Sequence, residues 1–272
     1  ASYHYLDGCH FTTDSGGIRS ESANVIQKFY DCKITITGAG LGIASLQDAE
    51  YYNLDVTGTS TSTGNLSGVG IAYNCTFNNS GIGICLQNTS AFNCIIIARG
   101  GGDTCRTTSN LSNCSIYNYA GRGNYVNCLQ FNNCLIYSAT SFGAYAENLN
   151  TKFRNCTIIS AANYGAAGGV HENNSITSLA GGGATNTMLT NCTISSLWNN
   201  ALGHGFITSA DNYILKNNSF KVTNASANCI NSTTAKNVYY AASVFEGATT
   251  PVNANITQLI ANTQDNQGNI LI

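Results

Sequence analysis

The chain has 272 residues and a net charge of −2, and only 9% of its residues are Asp, Glu, Lys or Arg, against roughly a quarter in an ordinary globular chain. Its few charges are scattered, so there is no basic stripe for a phosphate backbone, and no stretch approaches the ~18 apolar residues of a membrane span. Twelve cysteines and four histidines show no C-x-x-C and no clustering, which argues against a metal site, and no cofactor is expected.

In chain order the cysteines mark a repeated phrase: YDCKI, YNCTF, FNCII, SNCSI, NNCLI, RNCTI and TNCTI. With the cysteine as origin, the register runs Cys9, Cys32, Leu54, Cys75, Cys94, Cys114, Cys134, Cys156, Asn174, Cys192, Asn218 and Asn237. The gaps range from 18 to 26 residues, a loose period that marks a solenoid. Two residues past each origin stands a bulky apolar group, from Phe11 and Ile34 to Phe220 and Tyr239. Strand side chains alternate, so both positions point inward. Asn or Asp precedes the origin in ten units, for example Asp31, Asn74 and Asn133; Asn tolerates bent backbone, so it marks a bend entering the strand. Glycines such as Gly38, Gly81, Gly100 and Gly121 then close the strand, and segments such as GIGICLQ and GNYVNCLQ supply a second one. Such short strands bury nothing alone and must stack in parallel on their equivalents.

The expected architecture is all-β: a single-stranded parallel β-helix solenoid of about 12 coils of roughly 20 residues over 1–250, with 251–272 as closing turns or a cap. The tail offers at most one weak turn of helix at Ile256 to Ala261. Coil length, the N-C-x-[IF] register and the inward ladders resemble right-handed parallel β-helix proteins of the pectate-lyase-like superfamily, which includes phage tailspikes and fibres as well as secreted lyases and hydrolases. The resemblance implies right-handed coiling and trimerisation of the kind common in fibre proteins.

The thiols read as a structural ladder: Cys9, Cys32, Cys75, Cys94, Cys114, Cys134, Cys156 and Cys192. A rung spacing of about 4.8 Å is long for a disulfide, and cysteine is often a small buried hydrophobe. A shorter second ladder is expected at Cys85 and Cys105, with Cys128 and Cys229 in related strands. Free thiols imply folding in a reducing compartment, which fits a virion component made in bacterial cytoplasm and released by lysis. The chain opens on Ala1 rather than Met, as a processed or excised chain would.

Glycoside hydrolysis needs two facing carboxylates, and only Asp48, Glu50 and Glu172 stand out as candidates. Arg99, Arg106 and Arg122 occupy neighbouring turns and could clamp an anionic sugar. Aromatic columns are more suggestive: Tyr30, Tyr52, Tyr73 and Phe92 two before the origin, and Tyr117 and Tyr137 three after it. Partly exposed flat rings can stack on sugars or on another protein. The sequence therefore reads as a non-enzymatic virion or cell-surface rod, a tail-fibre or spike domain with a glycan- or receptor-binding face. The alternatives are a polysaccharide lyase or glycoside hydrolase of the same fold and a self-assembling filament subunit. A homo-oligomer is expected, a trimer ahead of a head-to-tail filament.

Overall fold

The computed structural model describes residues 2–14, 18–20, 25–38, 43–59, 66–101, 104–106, 110–120, 124–126, 130–147 and 149–258. Among them every regular element is a β-strand, and each strand pairs in parallel with its equivalents one coil away. One sheet takes a single strand from each repeat, twelve in all, from His10–Thr13 to Val244–Glu246. At about 4.8 Å per rung it runs roughly 53 Å along the axis. Of the remaining strands, Ser2–Asp7, Ile18–Ser20 and Val25–Tyr30 come first, and the next three are long ribbons, Ile43–Tyr52, Leu66–Tyr73 and Leu86–Phe92. The last of these bends at Asn88, where φ is 57° and the register shifts. In the next coil the ribbon is two strands, Cys105–Arg106 and Asn110–Ser112, both paired to Leu86–Phe92. From there the rod has three faces.

The corner before the twelve-stranded sheet is set by one conformation repeated twelve times. Gly8, Asp31, Asn53, Asn74, Asn93, Asn113, Asn133, Asn155, Asn173, Asn191, Asn217 and Ala242 all have φ between 47° and 59°, the left-handed region that Asn, Asp and Gly adopt most readily. Ladder bonds continue on both sides of the turn: Asn133 N–H donates to the Arg154 carbonyl at 3.0 Å, and Leu135 N–H to the Cys114 carbonyl at 2.9 Å. Outside, the bend side chains chain to each other, as in Asn133 Nδ2 to Asn113 Oδ1 at 3.3 Å.

Inside, two columns fill the rod. Ile34, Val56, Phe77, Ile96, Ile116, Ile136, Ile158, Ile176, Ile194 and Phe220 are fully buried, and burial of such a side chain contributes about 1.5–3 kcal/mol. Facing them on an adjoining wall run Phe29, Tyr51, Ala72, Ala91, Leu111, Phe131, Phe153, His171, Leu189 and Leu215. Rings stack where they meet: Phe131 on Phe153 at 4.6 Å, and Phe153 on His171 at 4.5 Å.

The ladder cysteines sit in the crook of each bend, where their role is to satisfy backbone. Cys134 Sγ lies 3.3 Å from the carbonyl of Asn132 and 3.5 Å from that of Leu111 in the coil before, and Cys32, Cys75, Cys94, Cys114, Cys156 and Cys192 repeat both contacts. The sulfur also accepts, from Cys75 N–H to Cys94 Sγ at 3.4 Å. Every described cysteine is a free thiol. Burial pushes Cys85 up to about 12 and Cys192 up to about 11. Cys75 and Cys114, hydrogen-bonded to neighbouring thiols and buried, are also raised.

Three expectations change. The twelfth rung is Val244–Glu246, so its origin is Ser243 and its inward ring is Phe245, stacked on Phe220 at 5.8 Å, not Asn237 and Tyr239. Asn237 and Tyr239 belong to Lys236–Ala241 on another wall, because the eleventh coil is longer than the average period implied. Cys85 and Cys105 do not form a second ladder. That coil is one residue shorter than their spacing, so Cys105 pairs with Leu86 while Cys85 turns its thiol to the Ile97 carbonyl at 3.1 Å. Cys128 lies outside the described residues. Ile256–Gln258 is a strand paired to Lys236–Val238 rather than a helical turn.

Candidate ligand-binding cleft

Six strands of the twelve-stranded sheet end on an inward polar residue, Asn79, Asn118, Ser138, Ser160, Ser178 and Ser196, all buried. These side chains hold the turns outside the strand. Ser160 Oγ donates to the Ser141 carbonyl at 2.7 Å and accepts the Asn163 N–H at 3.0 Å. Ser178 donates to the Asn163 carbonyl at 2.6 Å, and Ser196 to that of Gly181 at 2.8 Å. Buried bonds of this kind are costly to break, so the turns at 161–165 and 179–183 are fixed.

Those turns form one side of a cleft with two depressions that share Tyr164. One, of about 340 Å³, is walled by Phe142, Tyr145, Tyr164 and Tyr213, with Glu147 and Asn186 among its polar groups. The other, of about 440 Å³, is walled by Tyr164, Trp198 and Leu202, with Asn163, His204 and Asn231 on its polar side. The loop 198–204 closes on itself through Asn200 N–H to the Trp198 carbonyl, Gly203 N–H to the Asn200 carbonyl and Leu202 N–H to Asn200 Oδ1, at 2.8, 2.8 and 2.9 Å. It thus presents Trp198 and the 63%-exposed Leu202 on a braced support. His204 is buried, and its Nδ1 accepts the Asn228 N–H at 2.9 Å, so a neutral ring carries its proton on Nε2. Burial lowers its pKa, which favours that neutral form.

The candidates named from the sequence lie elsewhere. Tyr30, Tyr52, Tyr73 and Phe92 form a column with centroids 4.9–5.3 Å apart and rings within 1–19° of parallel, topped by Tyr5 on Tyr30. Ring faces in this column are turned to each other, leaving edges and hydroxyls outward. Tyr117 and Tyr137, outward on the twelve-stranded sheet, are tilted by 52° at 6.5 Å, with Tyr119 beside both. Arg99 lies over the Tyr119 ring at 5.2 Å. Arg106 is exposed in the short strand Cys105–Arg106 on another wall, and Arg122 lies outside the described residues.

Glu50 is paired with Lys28 at 2.9 Å and accepts from Tyr52 at 3.2 Å; its carboxylate raises the Lys28 pKa. Glu172 is paired with Arg154 at 2.7 Å. The two acids are several coils apart, each held by its own cation. Asp48 lies in Ile43–Tyr52, its side chain outside the described residues. Among the described residues no cluster of His, Cys, Asp and Glu could hold a metal, and no helix is long and apolar enough to cross a membrane.

Fold and site together define a parallel β-helix with an aromatic-walled lateral cleft. Among solved structures, the chain is similar to the A-module of mannuronan C-5 epimerase AlgE4 from Azotobacter vinelandii, with 10% identity, a TM-score of 0.46, and coverage of 91% of this chain and 78% of that one. No protein-family model matches the sequence, and no curated protein matches it.

Proposed function

We propose that this chain is a non-catalytic rod that binds glycan through the Tyr164 cleft, the kind of element displayed on a virion fibre or a cell surface. The observation that carries the reading is the cleft lining: rings and an aliphatic side chain beside Asn163, Asn186, Asn231 and Thr185. Sugar rings offer apolar C–H faces and a rim of hydroxyls, and this mixture of rings and neutral donors and acceptors suits both. The ion-paired state of Glu50 and Glu172, on walls away from the cleft, supports binding over hydrolysis, since a hydrolase needs two carboxylates across one bond. The tilted Tyr117, Tyr119 and Tyr137 rings supply a second aromatic patch on the rod.

A glycan array run beside a reducing-sugar assay tests this, with Tyr164→Ala as the control. Binding without turnover, lost in the variant at unchanged melting temperature, is the expected result. Release of reducing ends would establish a lyase or hydrolase instead, and silence in both assays would remove glycan as the ligand.

A further inference from the structure

The wall of the cleft is an interrupted stack. Phe142 and Tyr164 occupy equivalent places on successive coils, each eight residues past its origin, with ring centroids 5.9 Å apart and planes within 11°. The next coil has Gly182 at that place. A Cβ built there would lie 2.5 Å from Tyr164 Cε1 and 2.7 Å from its Cδ1, closer than van der Waals contact, so the Tyr164 ring packs directly on the glycine backbone and any side chain at 182 would push it aside. Glycine therefore ends the column. Beside it lies the depression walled by Tyr164, Gly182, Trp198 and Leu202, and none of the residues lining it is Asp, Glu, Lys or Arg. In the neighbouring depression Glu147 is the single such residue.

We infer that the cleft takes an uncharged sugar ring in the depression lined by Tyr164, Gly182 and Trp198. This rests on the glycan-binding reading and narrows it to neutral or N-acetylated oligosaccharides. A uronate or sulfated unit would lose hydration on entering a site without a cation to pair it, and Glu147 would repel its neighbour; both effects select against anionic chains. Asn163 and Asn231 offer neutral amides, and the neutral His204 ring offers an N–H rather than a charge. The braced loop and the serine-held turns make the site pre-formed, which limits the ordering cost of binding.

Trp198 is the single tryptophan of the chain, so its intrinsic fluorescence reports on this depression alone. Titrations would use neutral oligomers (glucan, galactan, N-acetylglucosamine), with oligogalacturonate and alginate oligomers as anionic probes, at low and moderate salt. The expected result is a saturable fluorescence change with at least one neutral oligomer, insensitive to salt, and none with the uronates. Gly182→Ser, which displaces the Tyr164 ring from the wall of the depression, should weaken that binding about tenfold or more, as should Trp198→Ala measured by calorimetry. Salt-sensitive binding of uronates would overturn the inference while leaving the glycan reading standing. Neutral binding unchanged in both variants, each shown to melt as the parent does, would overturn the location. Failure of every glycan here and on the array would overturn the underlying reading itself.

Discussion

Asn174 does for Cys156 what a thiol does elsewhere in the ladder: its Oδ1 accepts the Cys156 N–H at 2.7 Å while its Nδ2 donates to the Phe153 carbonyl at 3.0 Å. Asn218 repeats the pair, at 2.9 Å to Cys192 N–H and 3.0 Å to the Leu189 carbonyl. At most bends the origin position therefore holds a small side chain that both donates and accepts, Cys and Asn being two solutions, with Leu54 the apolar exception.

The amide makes the stronger bonds, so losing it should cost more. Asn174→Ala strips partners from a buried N–H and a buried C=O and should cost about 2–4 kcal/mol. Cys134→Ala loses a small volume and weaker S–H contacts, for about 1–2 kcal/mol. Asn174→Cys should be the mildest of the three. Urea unfolding ranks them, and an Asn174→Ala variant as stable as the parent would refute the backbone-satisfying role.

Reactivity of the thiols follows from their burial. Cys9 is the described cysteine that is not buried, and it should react first with a thiol reagent at neutral pH. The buried ones are closed off from reagent, and Cys85 and Cys192, raised to about 12 and 11, also carry almost no thiolate, so the buried set should stay silent until the rod unfolds. Denatured protein should then titrate as free thiols at all described positions. Disulfides recovered from freshly purified protein would contradict the ladder.

The repeat was legible because it is written in residue type. The left-handed bend selects Asn or Asp, its crook selects Cys or Asn, and the strand beyond selects Ile or Phe. Where one of those signals lapsed the register slipped: Ala242 and Ser243 carry neither Asn nor Cys, and so the last rung was displaced onto Asn237. The cleft was harder to see, because Phe142, Tyr164 and Gly182 share a place only once coil lengths are known, and a missing side chain at Gly182 leaves no mark in composition. One signal was present. The 26-residue gap between Cys192 and Asn218 is the longest in the chain, and it contains Trp198 and the loop that walls the site. The Tyr30 column was visible as a period, but whether its rings face solvent or each other depends on rotamers that periodicity does not fix.

Tyr51 is fully buried in the interior column, and its hydroxyl has no hydrogen-bond partner among the described residues. Burial raises its pKa well above the ordinary tyrosine value. Phenylalanine would keep the ring packed on Phe29, at 5.4 Å, and remove an unsatisfied polar group. Tyr51→Phe should therefore stabilise the protein by about 1 kcal/mol. A loss of similar size in urea unfolding would show that the hydroxyl is bonded in solution.

His171 is the polar member of the same column and makes stability depend on pH. Its ring stacks on Phe153, its Nε2–H donates to the Gly168 carbonyl at 3.2 Å, and its Nδ1 accepts from Asn174 Nδ2 at 3.1 Å. Desolvation lowers its pKa to about 4, from 6.5, against a smaller opposing effect of the Gly168 bond. A proton on Nδ1 would confront the Asn174 donor as well as the apolar column. Between pH 6.5 and 4 the unfolded chain binds a proton that the folded rod refuses, so stability falls as pH falls and levels off below about 4. The full difference corresponds to about 3 kcal/mol. Leucine occupies the next rung at Leu189, so His171→Leu is the natural control. Its unfolding free energy should change less than the parent's over the same pH range by about that amount. Parallel pH profiles for the two proteins would mean that His171 is already protonated, or already solvated, in the native rod.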